Sequence, residues 1–189
     1  MGIKQRIMTA ARQLMAERGF KGWTMDELSA RAQVSKRTLY RYYASKEALI
    51  EAVIDDFLAS MGVLFEQLIA SGADLKQIIG TILPQLLDKG KFVTSPRSLE
   101  DLRLLYPHLW EKINAFRTER IQVVAHHILQ SNPASPISNI DPRVFTAIIT
   151  ASVQAVVNPD FILENGLTFE EVCTQFVRFY QAVFNLSLD

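Results

Sequence analysis

Between Ser35 and Tyr42 the chain sets three cations, two aliphatic hydroxyls and two tyrosines around a single leucine, Leu39. Residues of these types bind polyanions: cations and hydroxyls reach phosphate oxygens, and arginine reads base edges. No acid stands between Glu27 and Glu47. Lys36 and Arg37 fall in the first turn of the helix that Ser35 would cap, where the helix dipole disfavours positive charge. A local rule broken without structural gain often marks a functional position. In a major groove, Arg37 would pair bidentately with guanine, worth about 1–3 kcal/mol of discrimination, and Thr38 would touch a thymine methyl. Tyr40, Tyr42, Lys46 and the Thr24 cap are suited to phosphates, which fix register and not sequence, and Ser35 is a further DNA-binding candidate.

Two short helices must hold that face outward. Thr24-Met-Asp-Glu27 is a capping box opening a helix to 32, and Ser35 opens a second over 36–43. Leu28, Ala32, Val34 and Leu39 would meet inside the angle between them, the proportions of a helix-turn-helix. Charge agrees with this. Residues 1–47 carry ten Lys/Arg against four acids, whereas the remaining residues carry ten against sixteen. A cationic head on an acidic body suits a nucleic-acid partner.

The run Thr24-Met-Asp-Glu-Leu-Ser-Ala-Arg-Ala-Gln-Val-Ser-Lys-Arg-Thr-Leu-Tyr-Arg-Tyr-Tyr-Ala-Ser-Lys-Glu-Ala-Leu, led in by Gly19-Phe20-x-Gly22-Trp23, resembles the DNA-binding head of the tetracycline-repressor (TetR) family. The match covers about residues 7–52. Gln33 stands where that family usually has a turn glycine, so a positive φ is expected there at a cost of roughly 1 kcal/mol or more. Ser29 replaces a usual alanine. The resemblance implies a palindromic double-stranded operator, an isologous C2 homodimer and a small, largely apolar effector in the carboxy-terminal body.

The rest of the chain reads as helix, with apolar residues recurring at helical spacing and start signals recurring ahead of them. Expected helices cover 3–17, 24–32, 36–43, 46–70, 74–89, 98–106, 107–130, 142–157 and 168 onward. The expectation is an all-α, nine-helix chain with a head over 1–47 and a sensing and dimerising body over 48–189. Pro84 should kink or break its helix. Loops are expected over 131–141 and 158–167. Phe57, Met61, Phe65, Trp110, Phe116, Phe145, Gln154, Phe161 and Phe176 are candidate cavity-lining residues. Val144, Ile148, Val172, Phe176, Phe179 and Val183 are candidate dimer contacts, the last helix carrying two apolar stripes about 100° apart.

Other classes of function find little support. A single cysteine, Cys173, excludes a disulfide scaffold and fits a reducing, cytoplasmic setting. No apolar run approaches the ~20 residues of a membrane span. His126 and His127 have no ligand partners at metal spacing, and no nucleophile, P-loop or paired-carboxylate motif stands out. No cofactor, metal or catalytic residue is expected. The alternative to a ligand-released repressor is an effector-blind helical protein that binds DNA and docks a protein partner, which predicts a large exposed apolar patch and no cavity.

Overall fold

Eight helices open on a side chain that accepts a hydrogen bond from their own first turn: Thr24, Ser35, Ser45, Asp74, Ser95, Asp141, Asn158 and Thr168. Each such cap satisfies a donor that the helix cannot satisfy internally. The computed structural model describes residues 2–131 and 139–184. It shows eleven helices: α1 (Ile3–Arg18), α2 (Met25–Arg31), α3 (Lys36–Tyr42), α4 (Lys46–Ala70), α5 (Leu75–Lys89), α6 (Lys91–Thr94), α7 (Pro96–Leu104), α8 (Pro107–Ser131), α9 (Pro142–Val156), α10 (Pro159–Glu164) and α11 (Phe169–Phe184). The described residues contain no strand.

The expected count of nine is corrected by two short elements. α6 is a single turn, too short to show periodicity. α10 fills the expected 158–167 loop, opened by the Asn158 cap with Pro159 at its first position. α5 runs unbroken through Pro84, although proline offers the Gly80 carbonyl no donor. The stretch expected as a loop over 131–141 falls largely outside the described residues.

The turn between α2 and α3 has the form that Gln33 requires. Gln33 sits at φ 53°, the described non-glycine residue with positive φ. Its N–H donates to the Ala30 carbonyl and that of Val34 donates to Ser29, the reciprocal pair of a Schellman ending. Arg6 from α1 donates to the Gln33 carbonyl at 2.6 Å, bracing the turn. Ser29 is buried, its hydroxyl satisfied by the Asp26 carbonyl. Gln33→Gly is expected to raise the thermal midpoint by about 1–3 °C, since glycine removes the left-handed penalty but adds unfolded-state entropy. Calorimetry checks this, and a lowered midpoint would show that the glutamine side chain outweighs its backbone strain.

Packing joins head and body into a shared core. Ile7, Leu14, Leu28 and Leu39 belong to the same buried cluster as Ile50, Ile54, Phe92, Val93, Leu102 and Leu109. A second cluster gathers Leu99, Val153, Val157, Ile162 and Val172. α4, 25 residues long, spans about 37 Å and runs from the head into the body.

Candidate nucleic-acid interface and body cavity

α3 is held by one side chain and displays the rest. Leu39 is fully buried, while Lys36, Arg37, Tyr40, Arg41 and Tyr42 are exposed, the two tyrosines at 49% and 42%. The Ser35 hydroxyl accepts from the Thr38 N–H at 3.0 Å and lies 2.9 Å from the Thr38 hydroxyl, so Thr38 is half-buried against its own cap. Thr24 is exposed, and its capping box with Glu27 is closed in both directions. The Thr24 N–H, followed by Arg18, holds the Glu27 carboxyl below the usual range.

Charges on this surface differ in their commitments. Lys36 pairs with Asp26 at 2.5 Å, both side chains exposed, a pair that a phosphate can displace at little cost. Arg37 has no ion-pair partner among the described residues. Lys46 points elsewhere than expected: its ammonium donates to the carbonyls of Trp23 at 2.5 Å and Lys21 at 3.1 Å, and lies 4.2 Å from the centre of the Trp23 ring. Burial pulls its pKa down, opposed by the Asp101 and Glu27 charges. The cation read as a phosphate contact is committed to the protein's own backbone, which sequence spacing alone could not reveal.

The body holds a partly open cavity of about 340 Å³. Seven of the nine candidate residues line it: Phe57, Met61, Phe65, Trp110, Phe116, Phe145 and Phe176. Two do not. Gln154 is exposed and donates to the Thr118 hydroxyl at 3.3 Å, and Phe161 packs on the second cluster. Sequence reading missed the rest of the wall, to which α5 (Ile78, Ile82, Leu86), Val93, Thr94 and Leu99 on α6 and α7, and further residues of α8, α9 and α11 contribute. The apolar stripe of α5 was visible, but not the space it faces.

Arg117 and Arg120 also line the cavity; protein groups engage their terminal guanidinium nitrogens, whereas the Nε of each is buried with no hydrogen-bond partner among the described residues. Arg117 donates to the Val157 carbonyl and, at 2.6 Å, to Asn114; Arg120 pairs with Glu119 at 2.9 Å. Their guanidinium carbons lie 5.3 Å over Trp110 and Phe116 respectively. Burial lowers the Arg117 pKa to about 10, which leaves it charged at neutral pH. The same burial pushes the Cys173 thiol up to about 12. The surface offered to an occupant is almost wholly hydrocarbon.

The candidate dimer residues separate. Val144, Ile148 and Phe179 are exposed at 51%, 55% and 60%, whereas Val172 is buried and Phe176 lines the cavity. The side chain of Val183 lies outside the described residues. Val172 and Phe176 therefore serve the interior of this chain, which corrects their expected place among the dimer contacts. On α9, Ala147, Ala151 and Ala155 extend the exposed face.

Residues 7–53 match the family model described as "Bacterial regulatory proteins, tetR family". The amino-terminal head therefore matches the DNA-binding segment of TetR-family regulators. A full-length relative is the uncharacterised HTH-type transcriptional regulator YvaF of Bacillus subtilis, 29% identical over 180 residues and covering 93% of this chain and 92% of its own. Among solved structures, a transcriptional regulator of the TetR/AcrR class from Aquifex aeolicus superposes with a TM-score of 0.61 at 19% identity, over 97% of this chain and 100% of its own. The regulator FadR of Bacillus subtilis, in complex with stearoyl-CoA, does so at 0.60 and 17% identity, over 92% and 95%. These likenesses establish an all-α TetR fold with an amino-terminal helix-turn-helix and a helical body. No helix among the described residues is long and apolar enough to cross a membrane.

Proposed function

We propose that this protein is a homodimeric TetR-family repressor whose two α3 helices enter adjacent major grooves of a palindromic operator. A small, largely apolar ligand filling the body cavity releases it. The head over 1–47 reads DNA and the body over 48–189 senses and dimerises. The observation that carries this reading is the exposed cationic, tyrosine-bearing face of α3, anchored by Leu39 alone. An unpaired Arg37 near the start of that helix lies where base edges are read. The hydrocarbon wall of the cavity favours a ligand-responsive body over an effector-blind one, and the stearoyl-CoA seen in the structurally similar FadR supports an apolar chain as the kind of group admitted.

α4 supplies a route from cavity to head. Phe57, Met61 and Phe65 line the cavity, and the same helix starts one turn after α3. A ligand that tilts α4 changes the separation of the two α3 helices, and a coupling of about 1–3 kcal/mol suffices for regulation.

The test uses a duplex selected by the protein from a random pool, compared with a scrambled duplex, in fluorescence anisotropy. Arg37→Ala is expected to weaken the selected complex about tenfold to a hundredfold and the scrambled one far less. Both should weaken with salt at about −0.9 in log–log slope per neutralised phosphate. Equal loss on both duplexes would remove base reading from Arg37.

A further inference from the structure

Buried carboxylates are rare without a partner, and Asp101 on α7 is 1% exposed. Its partners are on the head. Oδ2 accepts from the backbone N–H of Phe20 at 2.7 Å and of Lys21 at 3.0 Å, and Oδ1 lies 3.5 Å from the Lys21 ammonium. Gly19, at φ 72°, makes room for it, because a Cβ there would stand 2.7 Å from Oδ2. Two further bonds from the same helix reach α1: Arg97 donates to the Glu17 carbonyl at 3.2 Å and the Ser98 hydroxyl to the Met15 carbonyl at 3.4 Å. The Phe20 ring packs edge-on against Tyr106, 5.8 Å between centroids.

Residues 19–23 are the connector from α1 to the capping box of α2, and they are gripped from two sides. Asp101 holds the first part. Lys46, at the start of α4, holds the carbonyls of Lys21 and Trp23. The Trp23 indole N–H donates back to the Gly19 carbonyl at 3.2 Å, closing the segment on itself. Meanwhile Leu99, two residues before Asp101, is part of the cavity wall, with Val93 and Thr94 just ahead on α6.

We infer that Asp101 is a positioning residue that couples the cavity wall to the helix-turn-helix, giving the body a second line of transmission through α7 beside that through α4. This deepens the regulatory reading above and rests on it. A displacement of Leu99 by a ligand moves the helix that carries Asp101. A carboxylate bonded to two backbone amides transmits that displacement with little slack, because the charge-assisted bonds are short and the carboxylate has no water to retreat to.

Coupling between sites is reciprocal, so DNA must act on α7 as the cavity acts on DNA. The experiment is amide hydrogen exchange by mass spectrometry on the full chain, with and without the selected duplex, for wild type and Asp101→Asn. In the wild type, the duplex is expected to change exchange in peptides covering 96–104 at least fivefold. In Asp101→Asn, at a duplex concentration that saturates the variant, that change is expected to vanish while exchange in α3 still responds to DNA. A merely structural Asp101 predicts a less stable variant whose α7 still responds. Unchanged α7 exchange in wild type bound to DNA overturns the inference whether or not the variant folds, and an equal response in both proteins does the same. Absence of any DNA binding by the wild type would instead sink the repressor reading.

Discussion

Phe179→Glu is expected to yield a folded monomer with operator affinity reduced by about 10²–10⁴-fold, the range lost when two linked binding events become independent. Phe179 projects from α11 at 60% exposure, its ring edge-on to Tyr180 at 5.2 Å between centroids. Tyr180 in turn reaches α9, where its hydroxyl lies 2.6 Å from that of Ser152, so the two helices that carry the exposed apolar face are tied together. Val144 and Ile148 flank small alanines on α9, a surface that lets a second helix approach closely. In the monomer a glutamate at 179 sits in water and costs at most about 0.5 kcal/mol. Across a two-fold interface it places two like charges in a drying apolar contact, where repulsion and desolvation act together. Sedimentation equilibrium and anisotropy on the selected duplex check both parts. A variant that remains dimeric would move the interface to another face.

Asp101→Ala is expected to destabilise the free protein by about 3 kcal/mol, a fall of roughly 6–12 °C in thermal midpoint for a chain of this size. Three contributions combine in this loss. Two hydrogen bonds to a charged acceptor are lost, each worth about 1.5–3 kcal/mol. The Phe20 N–H, in a buried contact, is left without its acceptor. Against these stands relief from burying a carboxylate, which returns part of the loss. Urea unfolding followed by circular dichroism measures the difference. A loss below about 1 kcal/mol would mean that the connector finds other acceptors, and that the link between α7 and the head is slack.

Local signals in the chain proved legible and long-range ones did not. Both capping boxes, Thr24–Glu27 and Thr168–Glu171, form as their spacing requires, because each is complete within four residues. The positive φ of Gln33 followed from a turn that needs a left-handed residue whatever occupies it. Asp101 was invisible because its amide partners lie 80 and 81 positions earlier in the chain. Lys46 was misplaced for the same reason: its cationic head suggested a phosphate, but the Trp23 ring and two carbonyls offered a nearer home. α10 could have been found, since Asn158-Pro159 is a helix start, yet six residues are too few to display a face. In the body, six of the seven aromatic candidates line the cavity, but most of its wall is aliphatic and comes from side chains that no spacing marked as cavity-lining. Gln154 drew attention as a polar group on an apolar helix, but it lies at the surface, where such a group needs no special partner.

Cys173 has a use that follows from where it sits. The chain's single thiol is part of the cavity wall, and burial holds it protonated far above neutral pH. Thiolates, not thiols, react with alkylating agents, and this one is shielded by the body around it. Native labelling at Cys173 thus proceeds only in moments when the interior is both open and vacant. The rate of that chemistry turns one atom of sulfur into a gauge of occupancy, readable by mass alone and without knowing which DNA the protein prefers.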